Sequence, residues 1–149
     1  MPGTHSQILL HIVFSTKHRE PWIDAALADR LYPYIGGIIR AEGGVPYAIG
    51  GVEDHIHLYL RWKTDGTIAD LMRTVKSRST KWIRAEFPSL AEFAWQEGYA
   101  VFSVSKSQEG TVKAYIAHQR SHHEKEDSRA ELLRLLRAHG VEFDGRYVD

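Results

Sequence analysis

Residues 45–62, VPYAIGGVEDHIHLYLRW, predict a β-hairpin around which the rest of the fold can be arranged. Two runs rich in apolar and β-branched residues, 45–52 and 55–62, are separated only by Glu53-Asp54, a spacing typical of a β-hairpin. Polar and apolar side chains alternate in the second run, so its two faces differ in character. The apolar face, which we expect to meet the core, consists of Ile56, Leu58 and Leu60.

The sequence on both sides of this hairpin predicts further strands and helices. Before it, residues 7–16 (QILLHIVFST) are almost continuously apolar, as in a central strand, and residues 25–42 carry a helical apolar stripe. After it, residues 68–87 predict a second helix and residues 99–105 alternate like a strand. The order therefore predicts an α+β fold, a ferredoxin-like βαββαβ antiparallel sheet whose first and third strands are central.

Two further helices are predicted after the sheet, over residues 107–125 and 129–139. The chain of 149 residues suits a single domain over 1–149. Its core is expected over about 7–125, with a C-terminal helical extension over about 126–149.

Composition excludes several classes of protein. There are no cysteines, so disulfides and thiolate metal sites are excluded. No apolar run is long enough to span a membrane and no signal peptide is visible, so we expect a cytoplasmic protein with no membrane partner. The formal net charge of +0 argues against a simple basic nucleic-acid binder. Any nucleic-acid site must come from local clustering or from a metal.

His55 and His57 lie two apart on a predicted strand, so both point to one face of the sheet. Two imidazoles placed in this way can converge on one metal ion. We expect this face to be open, with His11 of the first strand sharing it. The pair alone is explained equally well by two half-buried polar residues on a solvated face. A metal site needs a third protein ligand or retained water.

Tyr115 and Gln119 lie one helical turn apart on a common face. A tyrosine hydroxyl can attack a phosphate whose oxygens are polarised by a metal. The amide oxygen of a glutamine can bind such a metal. Taken alone, the spacing favours the simpler interpretation of Tyr115 packed on the sheet and Gln119 exposed. Adjacent helical residues point in different directions, so His122 and His123 are interpreted as surface residues.

Four motifs in this order resemble one family. They are Asp54-His55-Ile56-His57-Leu58, Tyr115-Ile116-Ala117-His118-Gln119, the opening stretch from His11 to Lys17, and the segment from Trp95 to Ser105. The chain is similar to the single-tyrosine HUH transposases of the insertion-sequence-200-like type, which include the REP-associated tyrosine transposases. The likeness covers about residues 7–147.

The resemblance implies a function and a site. It implies a ferredoxin-like homodimer that binds Mg²⁺ or Mn²⁺ through His55, His57 and Gln119. Tyr115 would attack a single-stranded DNA phosphate, giving a 5′-phosphotyrosine and a free 3′-hydroxyl, and reversal would join strands. The substrate would carry a DNA hairpin. The tyrosine helix of the family is commonly contributed by the partner subunit, so the active site could be shared between subunits.

Basic residues of the second predicted helix are candidates for contacts with DNA phosphates, although a solvated polar face explains them equally well. Tyr59 falls on the histidine face, where it could stack on a base or simply pack. The DNA-binding candidates are Arg73, Lys76, Arg78, Lys81 and Arg84, with Arg61 and Lys63 at the end of the histidine strand.

Two other functions compete with the transposase hypothesis. One is a non-catalytic ferredoxin-like module that binds structured single-stranded DNA or RNA. It would be favoured by aromatic pairs on both central strands, but the first strand offers only Phe14, which by alternation points to the core. The other is a metal-dependent phosphodiesterase that uses water, for which Tyr115 would be dispensable.

Overall fold

A four-stranded antiparallel sheet forms the centre of the protein. The computed structural model describes residues 3–123 and 126–144. The strand order is β2-β3-β1-β4, so the first and third strands are central, as predicted. β4 is shorter than predicted because the chain turns into a 3₁₀ turn just beyond it. The strands are β1 (Ile8–Ser15), β2 (Val45–Val52), β3 (His55–Trp62) and β4 (Ala100–Ser103).

Two long helices, α1 (Ala25–Ala41) and α2 (Ile68–Glu86), cover one face of this sheet. The side chains of Asp24 and Thr67 cap them by accepting hydrogen bonds from backbone N–H groups of their first turns. The main apolar core lies between these helices and the sheet. Fully burying a core side chain such as Leu58 contributes about 1.5–3 kcal/mol, so this layer supplies much of the stability.

The C-terminal part of the chain covers the opposite face, which we expected to be open. The predicted single helix over 107–125 is instead a 3₁₀ turn followed by two α-helices that meet at His118. Its predicted end at 125 lies outside the described residues, as does the end of the C-terminal extension at 145–149. The helices on this face are α3 (Glu109–Ala117), α4 (Gln119–His123) and α5 (Ser128–Ala138).

Gly50 of β2 allows the end of α3 to approach the sheet. A Cβ atom at this position would lie 2.6 Å from the backbone carbonyl oxygen of Ile116, closer than real Cβ contacts come. Ile116 in turn packs against Leu9 and Tyr59 on the sheet. The absence of a side chain at Gly50 therefore sets how closely the tyrosine helix docks. None of the helices within the described residues is both long and apolar enough to cross a membrane.

Candidate active site

Strand β3 places His55 and His57 side by side on the face covered by α3, α4 and α5. The two side chains alternate with Ile56 and Leu58, which enter the main core, as the sequence pattern predicted. His55 is 1% and His57 0% exposed. The expectation of an open, solvated histidine face was therefore wrong. The C-terminal helices close over this face because the sheet carries apolar residues there as well, including Leu9 and Val13.

His11 of β1 joins the pair, as predicted. Its Nε2 lies 2.8 Å from Nδ1 of His57, with the two rings stacked. Burial and the neighbouring imidazole lower the pKa of His11 to about 3. Burial also lowers the pKa of His57 to about 4, although Glu131 opposes this. Both rings are thus neutral at pH 7, and the neutral imidazole is the form that binds a metal.

His55 is held from the other side by a carboxylate. Its Nδ1 donates to Asp54 Oδ1 at 2.8 Å. Burial disfavours the charged ring, but the hydrogen bonds to Asp54 and Glu131 outweigh it and raise the pKa of His55 to about 9. His55 therefore carries a proton at pH 7, and a cation that binds Nε2 must displace it.

The break between α3 and α4 brings Tyr115 and Gln119 to the histidines. Tyr115 is in the last turn of α3 and Gln119 begins α4. Gln119 is only 1% exposed, so the simpler interpretation of an exposed glutamine was wrong. Its Oε1 accepts a hydrogen bond from His55 Nε2 at 3.1 Å. All four residues predicted from the resemblance thus meet within a single chain.

Tyr115 lies between an acidic side chain, Glu131, and a basic one, Arg134. Its hydroxyl donates to Glu131 Oε2 and accepts from Arg134 Nη2 at 2.9 Å. Burial and the Glu131 carboxylate raise the pKa of Tyr115 above its ordinary value, so the phenol is fully protonated at neutral pH. Attack on phosphate from this state requires that the phenolic proton be taken up by a neighbouring group.

Glu131 of α5 is the residue that the sequence analysis missed. It is 1% exposed, and its carboxylate contacts both histidines of β3, with Oε1 at 3.1 Å from His55 Nε2 and 3.0 Å from His57 Nε2. Its Oε2 accepts from Gln119 Nε2 at 3.1 Å. Burial alone would raise the pKa of Glu131, but the hydrogen bonds from these histidines hold it well below its usual range. The carboxylate is therefore ionised.

One signal in the sequence could have found Glu131. The buried residues of α5 are Ser128, Glu131, Leu135 and Leu136, at the spacing of one helix face. An acidic residue on the buried face of a helix is uncommon unless it is paired. Its partners lie 74 and 76 residues earlier in the chain, so the stripe alone cannot name them.

His122 and His123 are closer to the site than we expected. His123 Nε2 lies 3.1 Å from Glu131 Oε1, and its side chain is only 10% exposed. The interpretation of His123 as a surface residue was therefore wrong, because α4 is short and turns this ring inward. His122 is partly exposed and bonds to Glu126 at 2.6 Å.

The donor set fits a divalent cation. His55, His57 and Glu131 offer ligand atoms that all lie within 4.8 Å of one another, and Gln119 adds an amide oxygen beside them. Imidazole nitrogen and carboxylate or amide oxygen are ligands that Mn²⁺ and Mg²⁺ accept in proteins. All of these groups are buried, so a bound cation would act in a low-dielectric environment where its charge is weakly screened.

A second surface, the α2 groove, lies between α2 and the loop that precedes β4. Arg73, Lys76, Lys81 and Arg84 line it together with the loop at 94–98. Lys76 Nζ donates to the carbonyl oxygen of Gln96 at 2.8 Å and to that of Gly98, and Arg84 Nε donates to the carbonyl of Phe93 at 2.9 Å. These two side chains hold the loop in place. Lys81 is exposed, and Arg73, also exposed, donates from Nη1 to Asp70 Oδ1 at 2.5 Å.

Other predicted DNA contacts do not join this groove. Arg78 is exposed on α2 but does not line the groove, because its position in the helical repeat turns it to another side. Arg61 and Lys63 lie at the opposite end of β3, and Arg61 is about 20 Å from His55 along the strand. Tyr59 is fully buried and donates to Glu109 at 2.8 Å, so it packs and is closed to base stacking.

Comparison with known proteins identifies the family. The model of the family described as "Transposase IS200 like" matches residues 4–119. The chain belongs to this family. The sequence of this IS200-like transposase is related to that of the ISDra2 transposase TnpA of Deinococcus radiodurans. The two are 25% identical over 125 residues, which cover 80% of this chain and 87% of the relative.

Two solved structures share the fold of the transposase. A transposase-like protein of Deinococcus radiodurans superposes with a TM-score of 0.67 at 24% identity, covering 80% of this chain and 95% of the other. A REP-associated tyrosine transposase bound to a REP hairpin superposes with a TM-score of 0.61 at 13% identity, covering 83% and 74%. The family match ends at Gln119, so α5 and Glu131 lie beyond it.

Proposed function

We propose that this IS200-like transposase cleaves and rejoins single-stranded DNA through a 5′-phosphotyrosine on Tyr115. The observation that carries the proposal is that Glu131 links the Tyr115 hydroxyl, His57 and Gln119 by hydrogen bonds, and Gln119 bonds to His55, so that all four form one cluster inside a single chain. Neither the histidine pair nor the tyrosine helix would support this chemistry alone. Together they supply a nucleophile and a set of metal ligands a few ångströms apart.

The covalent step uses the tyrosine oxygen. Tyr115 Oη attacks the phosphorus, the bond to the 3′-oxygen breaks, and that oxygen takes up a proton from solvent, so that one strand leaves with a free 3′-hydroxyl. Glu131 Oε2 accepts the phenolic hydrogen bond and passes the proton on to solvent, since the lowered pKa of this carboxyl makes it too weak a base to keep the proton. Because the tyrosine ester retains the energy of the phosphodiester bond, attack by another 3′-hydroxyl rejoins DNA without ATP.

His55, His57 and Gln119 would hold Mg²⁺ or Mn²⁺. Such a cation polarises the phosphate oxygens and stabilises the charge that develops on them during attack. His11 and Asp54 orient the two imidazoles through their second ring nitrogens. Partners of this kind fix which nitrogen faces a metal and thus preorganise the site.

The α2 groove is proposed to bind the phosphates of a DNA hairpin. Lys81 presents positive charge to solvent there, and Arg73 is exposed beside its ion-pair partner Asp70. The loop at 94–98 itself bonds to the end of β1, where Gln96 N donates to the carbonyl of Ser15, the residue that pairs with His55. A relative with the same fold was solved with a REP hairpin bound. Local clustering of this kind weakens, without removing, the objection raised by the net charge of +0.

A homodimer is part of the proposal and is supported by the resemblance alone. Since Tyr115, His55 and His57 meet in one chain, we propose that each subunit acts with its own tyrosine. A mixture of Tyr115→Phe and His57→Ala proteins should then form no covalent adduct. Recovery of adduct in the mixture would show that tyrosine helices are exchanged between subunits, and a monomer in light scattering at micromolar concentration would exclude the dimer.

The test of the proposed activity is a covalent-adduct assay. The protein is incubated with Mn²⁺ and labelled single-stranded hairpin DNA from its own genomic flanks, with and without chelator. Adduct should form only with metal and should disappear in Tyr115→Phe. The matched control is Tyr47→Phe, which removes the hydroxyl of an exposed tyrosine outside the cluster.

Each failure in that assay points to a different function. Tight hairpin binding unaffected by chelator, with no adduct from any hairpin, would indicate a non-catalytic binding module. Cleavage that survives Tyr115→Phe would indicate a phosphodiesterase that uses water. Either result would overturn the proposed role of Tyr115.

A further inference from the structure

The carboxylate of Glu131 lies at the centre of the histidine cluster. Its Oε1 is 3.1 Å from His55 Nε2, 3.0 Å from His57 Nε2 and 3.1 Å from His123 Nε2. One oxygen atom is thus surrounded by three imidazole nitrogens, all from buried or nearly buried side chains. No other acidic side chain among the described residues reaches both histidines of β3.

A buried carboxylate requires a strong compensating interaction. Removing an ionised carboxylate from water costs several kcal/mol even after the protein relaxes, so Glu131 is retained in the site only because cationic or donor groups surround it. The hydrogen bonds from the imidazoles supply part of this compensation. A divalent cation would supply it more strongly, since hard cations prefer carboxylate oxygens to amide oxygens or water.

Contacts on both sides of Glu131 hold helix α5 so that this carboxylate points into the histidine cluster. At its first residue, Ser128 Oγ donates to Asp54 Oδ2 at 2.9 Å, on the carboxylate whose other oxygen holds His55. One turn beyond Glu131, Leu135 and Leu136 pack on the sheet in a separate apolar cluster with Val13 and Phe102. The helix is therefore anchored on both sides of the acid.

We propose that Glu131 is a ligand of the divalent cation together with His55 and His57, so that α5 completes the metal site of this protein. This inference rests on the proposed function, which places a metal at the histidines. It adds a negatively charged ligand to the neutral set of His55, His57 and Gln119. The consequence is tighter binding of the cation, with α5 ordered by the metal as well as by its apolar contacts.

Mn²⁺ binding tests the proposal without any DNA. Free Mn²⁺ is measured by its electron paramagnetic resonance signal during titration of the full chain at fixed pH. Glu131→Gln keeps the size of the side chain and removes its charge, and we expect it to weaken Mn²⁺ binding at least tenfold. The matched control is Glu126→Gln, which removes a neighbouring carboxylate that reaches His122 but neither His55 nor His57. It should bind Mn²⁺ within about twofold of the unaltered protein.

His57→Ala separates this inference from the proposed function. If His57→Ala weakens Mn²⁺ binding and Glu131→Gln leaves it unchanged or strengthens it, Glu131 is not a ligand and the inference is wrong, while the metal site stands. If His57→Ala has no effect on Mn²⁺ binding, the metal site itself is wrong. Circular dichroism without metal checks that each variant folds.

A second measurement covers the case in which Glu131→Gln fails to fold. Hydrogen exchange of the unaltered protein is followed with and without Mn²⁺. A carboxylate ligand predicts that Mn²⁺ slows exchange of the backbone amides of α5 as well as those of β3. Slowing confined to β3 and α4 would contradict a ligand from α5.

Discussion

Asp54 and His55, adjacent in the β2–β3 turn, are joined by a hydrogen bond of 2.8 Å from the imidazole Nδ1 to the carboxylate Oδ1. The same carboxylate accepts from Ser128 at the start of α5. A single acid in the turn thus orients the first histidine and anchors the C-terminal helix. Its pKa is held below the usual range: burial raises it, but the hydrogen bonds from His55 and Ser128 outweigh that effect.

Removal of this acid should weaken metal binding without removing a ligand. Groups that orient a metal-bound histidine typically change metal affinity ten- to a hundredfold, so we expect Asp54→Ala to weaken Mn²⁺ binding by about that factor. Isothermal titration calorimetry measures it. Glu53→Ala, at the neighbouring turn position, removes an exposed pair with Arg120 and serves as the control. Equal effects of the two substitutions would argue against an orienting role for Asp54.

The α2 groove makes a prediction about salt. Each phosphate contact contributes about 0.9 to the slope of log K against log salt on duplex DNA. Arg73→Ala combined with Lys81→Ala should therefore weaken hairpin binding several-fold and reduce that slope, as measured by fluorescence anisotropy from 50 to 200 mM salt. Lys76 and Arg84 are less suitable for substitution because they hold the loop through backbone carbonyls.

Arg78→Ala is the matched control for the groove. It removes the same kind of charge from the same helix, but from a side that does not line the groove. We expect it to leave the salt slope unchanged. A slope reduced as much by Arg78→Ala as by the groove substitutions would show that the whole helix surface, and no particular groove, attracts DNA.

Because Gly50 packs closely against the end of α3, the addition of a single methyl group at this position should destabilise the fold. Gly50→Ala would place Cβ 2.6 Å from the carbonyl oxygen of Ile116, which forces α3 away from β2. We expect a loss of about 1–3 kcal/mol in the free energy of unfolding, measured by urea denaturation. Gly37→Ala is the control: nothing lies within 4 Å of a Cβ there, and the helical position should gain about 0.5–1 kcal/mol. A neutral Gly50→Ala would contradict the close approach.

Local pattern was sufficient to predict the sheet and its first two helices. The alternation in His55–Trp62 correctly placed two histidines on one face and Ile56 with Leu58 on the other. The continuous apolar run of β1 correctly predicted a central strand of the sheet. These features depend on neighbours within a few residues, where helical and strand periodicity are direct consequences of backbone geometry.

Long-range packing explains what the pattern could not predict. The histidine face was expected to be open because nothing local to β3 indicates that α3, α4 and α5 dock on it. The helix break at His118 places Gln119 against His55, a partner on β3 that nothing in the local pattern of 107–125 indicates. Glu131 was missed for the same reason, since its partners lie on a strand more than seventy residues away.

The role of Tyr115 as the nucleophile is tested most directly by measuring the mass of the peptide that contains it. The transposase is incubated with Mn²⁺ and a single-stranded hairpin from its genomic flanks, then digested with nuclease and protease. We predict a nucleotide attached to Tyr115 through its 5′-phosphate, with a free 3′-hydroxyl on the released strand and no such peptide in the presence of chelator. A nucleotide attached to another residue, or cleaved DNA with no modified peptide, would contradict Tyr115 as the nucleophile.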